Sequence, residues 1–555
     1  MFCANNAKSA TTKYNIMTVN SEKKLTFVRT GKRVRKMLYP IGIQDFEKIC
    51  KDGFVYVDKT DLVYKMAQNG GYYFLSRPRR FGKSLLVSTM EAYFSGKKEL
   101  FDGLAIAELE KEWIRYPVLR FDLSGKQYKS ISDLTETLFQ HLVKLEGLYG
   151  VKPQFESPEA RFKDVIDAAY AKTGLGVVIL IDEYDKPIVD SLGDEKLNES
   201  FRSLLQGFYG VIKAKDACIR FGFLTGVTKI GKLSIFSGLN NLKDISMDAR
   251  YTDICGISEK DLKKYFGESV KELAVANDLS VKETYTQLAE MYDGYHFRQS
   301  SMGIYNPFSV LNTFDSGEFK EYWFETGTPS FLVKMMKETS YDVTRLSGDE
   351  VGSSLLTNVD SAFANPVPFL YQAGYLTIKD YDKEYKLYKV GFPNKEVKDG
   401  FLNYLLNFYA PVQAESTDAL ISRMSRDIRS GNAEGFMQKL EALFAKTSYQ
   451  IQGDSEKDFQ YAMYIILELM GEYVEVEKAT SNGRIDVLLQ TREHIYVIEI
   501  KINDTAEAAL QQIEEKAYAR RFADDKRKIF KIGVRFSTES RCIDSWKIAE
   551  GVNEL

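Results

Sequence analysis

The sequence predicts a multidomain α/β protein: a doubly wound parallel-sheet domain first, a mostly helical middle, and a smaller α/β domain at the C-terminus. Three observations carry this expectation. Short apolar runs alternate with helical stretches over residues 71–225, the pattern of strands joined by crossover helices. The run Gly176-Val177-Val178-Ile179-Leu180-Ile181 is the most apolar in the chain, as expected of a central strand buried on both faces. Beyond Gly483 the pattern changes to hairpin, helix and strand. A length of 555 residues leaves room for three or four domains.

Residues 1–36 carry nine Lys/Arg and one acid, Glu22, so they read as a disordered basic tail with little to bury. From Met37 the pattern is globular. The aromatic run at 71–75 lies between Gly70 and Pro78 and reads as a buried strand. After Gly82, KSLLVSTMEAYF has helical spacing, with Leu85, Met90 and Phe94 on one side. Residues 117–122 form a second strand, 132–148 and 159–171 helices, and 219–225 another strand. Residues 256–345 read as mostly helical. Residues 369–392 pair an apolar helix end with two aromatic β-like runs, as in a winged helix, and 396–450 are helical by pattern. The expected division is a tail over 1–36, a core over 37–255, a lid over 256–345, a winged-helix-like segment over 346–410, a helical connector over 411–450 and a C-terminal domain over 451–555.

Composition narrows the function classes. The chain is 44% hydrophobic and 28% charged with a formal net charge of −3, ordinary for a soluble globular protein and without a global basic field. Five cysteines are dispersed with no C-x-x-C pair, which fits reduced thiols in a cytoplasm. Three scattered histidines argue against a His-rich metal centre. No run approaches 18 apolar residues, so no membrane partner is expected.

The stretch SRPRRFGKSL at 76–85 ends like a phosphate-binding loop, yet Arg77 stands where the usual pattern has its first glycine. Such a loop aims backbone N–H groups and a helix N-terminus at phosphate oxygens. Lys83 would reach the β and γ phosphates, the Ser84 hydroxyl would ligate Mg²⁺, and Gly82 lets the backbone approach. Pro78 fixes its own φ and biases Arg77 toward extended geometry, a stiff substitute for the missing glycine. Arg77, Arg79 and Arg80 add positive charge there. Alone, this is a weak signal, because basic turns containing G-K-S occur by chance.

The apolar run supplies the second element, since it ends in Asp182-Glu183-Tyr184-Asp185. An acid at the carboxyl end of a buried parallel strand sits where such folds bind ligands. Asp182 would hold Mg²⁺ and Glu183 would polarise the attacking water. The next strand ends in Thr225-Gly226-Val227-Thr228, where a hydroxyl could sense the γ-phosphate or merely form a turn.

The C-terminal stretch GRIDVLLQTREHIYVIEIK places Asp486 on one strand and Glu499-Ile500-Lys501 on the next. Residues i and i+2 of a strand share a face, so Glu499 and Lys501 project together and Asp486 can meet them across the hairpin. Two carboxylates and a lysine suit metal-assisted phosphodiester hydrolysis, in which Mg²⁺ activates water and the lysine orients it. Any half-exposed strand can look like VIEIK, so the neighbours matter: a helix at 456–469 that can carry Glu456, and a helix over 506–522 followed by KIFKIGVRF.

LYPIGIQDFEKI (38–49), RPRRFGKSL (77–85), LIDEYD (180–185), LTGVTKIGKLSIFSGLNNLKDIS (224–246), YDGYHF (292–297), YNPFS (305–309), FETGTPSFL (324–332) and LYQAGYLTI (370–378) together resemble the AAA-ATPase-like family that carries a C-terminal PD-(D/E)XK nuclease domain, found largely in bacteria. The resemblance runs from about Tyr39 to the C-terminus. It implies a P-loop NTPase core like that of AAA and signal-transducing ATPases, a helical lid, a winged helix and a restriction-endonuclease-like domain. It makes R-P-R-R-F-G-K-S the family's own form of the loop. It implies that Arg79, Arg80, Phe81, Gly82, Lys83, Ser84 and Leu85 bind ATP with Asp182 and Thr225, and that Asp293-Gly294-Tyr295-His296-Phe297 either contacts nucleotide or packs as an aromatic helix end. It implies that Asp486, Glu499 and Lys501 are catalytic, with Glu456 a helper acid and Gln512 and Tyr518 flanking. The expectation is thus an ATP- and Mg²⁺-dependent nuclease acting on nucleic acid, DNA before RNA, with a homo-oligomer left open. The competing expectation is an ATP-dependent switch whose C-terminal domain binds without cutting.

Overall fold

The structure is a computed structural model and describes residues 37–551 apart from 230–234, 237–238, 240, 300, 325–329, 354–355, 357–364, 410–413, 448–455, 472, 481–482, 523, 538 and 541. The basic tail expected over 1–36 lies outside the described residues.

Helices α1 (Phe46–Asp52) and α2 (Thr60–Asn69) precede β1 (Gly71–Ser76). Next come α3 (Lys83–Phe94), β2 (Val118–Asp122), α4 (Ile131–Tyr149), α5 (Pro158–Thr173), β3 (Val177–Asp182), α6 (Glu195–Ala214), β4 (Ile219–Gly226) and β5 (Leu242–Asp244). The strands form one parallel sheet in the order β2-β3-β4-β1-β5. Every residue of β3 is buried, which is why its sequence is a continuous apolar run rather than an alternation. Because β4 lies between β1 and β3, the three loops at their carboxyl ends emerge side by side. Arg77 N donates to Gly226 O at 3.2 Å and Tyr184 N to Thr225 O at 3.1 Å.

The segment expected as a lid comprises α7 (Glu259–Ala276), α8 (Val281–Tyr292) and α9 (Pro307–Ser316). Ser258 and Ser280 start the first two helices with capping boxes completed by Asp261 and Glu283. These helices have their own apolar core around Leu262, Phe266, Leu288 and Val310, onto which Tyr39 packs.

The middle segment follows with α10 (Ser330–Glu338), β6 (Asp349–Gly352), α11 (Val367–Ala373), β7 (Thr377–Asp382), β8 (Leu387–Gly391) and α12 (Lys395–Tyr409). Its antiparallel sheet runs β6-β8-β7. The sequence reading foresaw the helix and hairpin but not β6, whose four residues Asp-Glu-Val-Gly have no strand pattern and become a strand through pairing with β8. Helix α11 faces inward: Gln372 Oε1 accepts from Lys229 N at 2.6 Å. Gly374, at φ 93, ends α11 so close to Pro78 that a Cβ would stand 2.6 Å from the proline's own.

The C-terminal region holds α13 (Ala414–Ser430), α14 (Ala433–Thr447), α15 (Glu456–Leu469), β9 (Tyr473–Thr480), β10 (Gly483–Gln490), β11 (His494–Ile502), α16 (Ala506–Glu515), β12 (Lys528–Ser537) and β13 (Cys542–Gly551). The sheet order is β9-β10-β11-β12-β13, with β11 and β12 parallel and the other pairs antiparallel. Strands β9 and β13 extend the expected hairpin-helix-strand unit at both edges. Edge strands need bury only one face, so their apolar signal is weak. The helix expected to continue to 522 ends at Glu515; Ala517 turns to φ 50 and a short 3₁₀ turn spans Tyr518–Phe522. Helices α13 and α14, expected as a connector, pack on this sheet: the Tyr496 hydroxyl donates to Ile428 O at 2.7 Å and the Trp546 indole to Glu441 at 3.3 Å. One apolar core reaches from Phe46 through the middle segment to Ile543.

Gly374→Ala would force a side chain into positive φ and against Pro78. The expected result is a loss of about 1–3 kcal/mol of stability, read from urea unfolding; an unchanged transition would contradict the packing described.

Candidate active sites

The phosphate loop begins with an arginine that points inward. Arg77 is 1% exposed. Its guanidinium donates to Ser76 O at 2.9 Å, Ser246 O at 2.8 Å, Tyr251 O at 3.1 Å and Thr252 O at 3.4 Å, and lies 4.0 Å from the Phe297 ring centre. The planar fork thus fastens the end of β1 to the 246–252 segment. Arg79 and Arg80 are exposed. Arg80 takes φ 67 and covers the Phe308 ring at 4.6 Å. Phe81 is buried, with Tyr295 and Phe297 edge-on at 4.8 and 5.6 Å. The YDGYHF motif therefore grips the loop through its rings, the aromatic-packing alternative of the sequence reading. Gly82, at φ 91, makes the turn into α3, leaving the helix's first N–H groups facing the loop.

Lys83 is 4% exposed, its ammonium 3.3 Å from Glu183 Oε1 and 3.3 Å from Pro78 O. Ser84 follows on the first turn of α3 and Leu85 half-lines an apolar cavity beside the loop. Asp182 is fully buried and neither of its carboxylate oxygens makes a hydrogen bond of good geometry. Burial pushes its carboxyl up to about 6; the nearby Ser84 hydroxyl draws it back and Glu183 raises it. A buried anion without partners is costly, so Ser84 and Asp182 fit a divalent cation placed between them. Glu183 sits at φ 53, a left-handed conformation that a non-glycine residue holds only under constraint.

Two threonines divide as sequence alone could not decide. Thr225 gives its hydroxyl proton to Leu75 O at 2.8 Å. Thr228 is held by Asp185, which accepts from its backbone N–H at 2.6 Å and its hydroxyl at 2.7 Å. Asp185, 1% exposed, also accepts from Val227 N at 3.2 Å. It thereby locks the loop after β4 to the end of β3, a role that the sequence reading did not assign.

At the C-terminus, β10 and β11 bring Asp486 beside Glu499: Asp486 Oδ2 accepts from Ile500 N at 2.8 Å. Glu499 is 2% exposed and its Oε2 has no hydrogen-bond partner. Burial first, then Asp486, pushes its carboxyl up to about 7, while Lys501 and Gln512 pull it down. Lys501 Nζ is 3.9 Å from Glu499 Oε1 and donates to Gln512 Oε1 at 2.5 Å; the Gln512 amide donates to Glu499. Gln512, on α16, so orients both groups. Tyr518 is buried with Leu488, Val497 and Ile513, the apolar layer on the same side of the sheet. Glu456 opens α15, and its side chain lies outside the described residues. Among the described residues no three acid, His or Cys side chains converge as a metal cluster. The orphaned Glu499 oxygen, with Asp486 close by, nonetheless fits a cation shared by the two carboxylates.

A family model described as predicted AAA-ATPase matches residues 40–236, and one described as the PD-(D/E)XK nuclease superfamily matches residues 454–546. A protein of Azotobacter chroococcum mcd 1, named as an uncharacterized protein in the vnfD 5′ region, is 35% identical over 519 residues, 92% of this chain and 98% of that protein. The chain belongs to the AAA-ATPase-like family. It joins an ATPase-like core to a nuclease-superfamily domain. In this ATPase-like protein Arg77 is structural: it replaces glycine flexibility with a buried clamp. No helix among the described residues is long and apolar enough to cross a membrane.

Arg77→Lys keeps the charge but offers a single ammonium to four carbonyls. The expected loss is about 1–3 kcal/mol of stability, measured by chemical denaturation, with a larger effect than Arg79→Lys, which is exposed.

Proposed function

We propose that this protein hydrolyses ATP at the 77–85 loop and cuts nucleic acid, DNA before RNA, at its C-terminal site. The observation that carries the first half is the Lys83–Glu183 pair at 3.3 Å beside the unpartnered Asp182 carboxylate. A triphosphate offers Lys83 stronger acceptors than Pro78 O. Taking Lys83 away from Glu183 frees that carboxylate to orient and deprotonate water. Ser84 and Asp182 would hold Mg²⁺, which supplies charge neutralisation at the β and γ oxygens when bound. A cavity of about 100 Å³ between the loop and the lid, lined by Pro40, Val57, Gly82, Leu86, Ile254 and Leu311, suits the flat apolar faces of a purine. Its one charged lining residue, Lys59, is already paired with Asp253 and Asp261 at 3.2 and 2.6 Å.

At the second site Asp486 and Glu499 would hold Mg²⁺, which supplies an activated water and steadies the leaving oxyanion when bound. Lys501, held by Gln512, would neutralise the phosphate. The four described cysteines are unpaired, which supports a reducing, cytoplasmic setting. A switch that binds without cutting is the second reading, favoured by the lack of a third converging acid among the described side chains.

Lys83→Ala is expected to lower ATP turnover by about 10²–10³-fold and Glu183→Gln by about 10²–10⁴-fold, both read as phosphate release. Unchanged turnover in either variant removes its assigned role. Glu499→Ala and Lys501→Ala should abolish Mg²⁺-dependent cutting of plasmid or single-stranded DNA while sparing ATP turnover. A wild type that turns over ATP and cuts no nucleic acid would favour the switch.

A further inference from the structure

Two successive carbonyls of the phosphate loop are held from different sides. Pro78 O accepts from Lys83 Nζ at 3.3 Å, and Arg79 O accepts from the Trp323 indole N–H at 3.1 Å. The next residue, Arg80, holds φ 67, so the 78–80 backbone is a strained stretch. A nucleotide at this loop would claim Lys83 and release the first of these bonds. The second bond leads away from the site.

Trp323 donates its own backbone N–H to Glu396 Oε1 at 2.7 Å. Glu396 is fully buried in the first turn of α12 and also accepts the Ser309 hydroxyl at 2.9 and 2.8 Å. A buried carboxylate with committed donors does not change partners cheaply, so the Trp323 backbone and the start of α12 move together. The Trp323 ring reinforces this link, packing edge-on to Tyr375 at 5.2 Å, which in turn meets Phe401 of α12 at 5.1 Å. Helix α12 then contacts α15: Lys398 pairs with Glu468 at 2.5 Å, and the Tyr409 and Tyr461 rings are 5.7 Å apart. Helix α15 runs into β9, the first strand of the sheet that bears Asp486, Glu499 and Lys501.

We propose that Trp323 is a positioning residue that reads the state of the phosphate loop through the Arg79 carbonyl and passes it, by way of α12 and the Lys398–Glu468 pair, to the C-terminal domain. The proposal rests on the reading of the loop as the nucleotide site. It makes the middle segment the lever between the two sites. It also explains why α11 faces inward, with Gln372 on Lys229 N and Gly374 on Pro78, since a lever must be seated on the loop it reads. A rigid route of this kind transmits nothing unless both ends have two arrangements, and the breaking of the Lys83–Pro78 bond provides that at the nucleotide end.

The test is hydrogen exchange of the full chain with and without Mg²⁺ and AMP-PNP, followed over 456–469, with analogue binding measured alongside. In the wild type the analogue should change exchange over 456–469 by about twofold or more. Trp323→Phe keeps the ring and removes the indole donor. It should bind the analogue within about fivefold of wild type and lose the change over 456–469. Glu468→Gln, which touches no part of the nucleotide site, should do the same and serves if Trp323→Phe does not fold. A wild type that binds the analogue with 456–469 unchanged, or a folded variant that keeps the full change, overturns the proposal and leaves the nucleotide site standing. A wild type that binds no analogue overturns the nucleotide reading itself, and the proposal with it.

Discussion

Asp182 ends a fully buried strand with both carboxylate oxygens out of water and without a hydrogen bond of good geometry. Desolvation holds its proton on to about pH 6, so the position is electrostatically unfavourable as it stands. Much of the N-terminal architecture is arranged around that constraint. Parallel strands put the acid at a carboxyl edge, β4 sets the phosphate loop beside it, and Lys83 with Ser84 supplies the cation and hydroxyl nearby. Arg77, Gly374 and the Tyr295 and Phe297 rings then hold the loop in register against this edge.

The C-terminal site solves a similar problem by different means. Glu499 is nearly as buried as Asp182 and also keeps one orphaned oxygen, but its neighbours come from a hairpin and a crossover helix rather than from parallel strand ends. Gln512 is the device that makes this work. It donates to the acid and accepts from Lys501, so it aligns opposite charges without neutralising either. The two domains share one apolar core through the middle segment.

Legibility from sequence followed burial. β3 could be read because every residue faces apolar surroundings, and β11 because alternation put Glu499 and Lys501 on one face. The helices of 259–292 were readable from periodicity, and their capping serines stand where a capping box needs them. What escaped depended on contacts between distant segments. β6 exists because β8 pairs with it, and β9 and β13 are edge strands with diluted patterns. The site showed the same divide. Asp182, Glu183, Lys83, Asp486, Glu499 and Lys501 lie in recognisable local patterns. Asp185 acts on Thr228 across two loops, and Trp323 reaches a loop 244 positions away. Arg77 was visible as an anomaly, but its direction depended on four carbonyls, three of them on a segment about 170 residues distant.

On the proposed reading, the buried edge formed by Lys83, Ser84 and Asp182 is completed by a metal and a nucleotide together. Thermal unfolding in the presence of ATP and Mg²⁺, added singly and jointly, tests it most directly. Joint addition at about one hundred times the dissociation constant should stabilise the protein by about 2.7 kcal/mol, with each alone giving much less and Asp182→Asn removing the joint effect. An unfolding transition that millimolar ATP and Mg²⁺ leave in place would contradict the account.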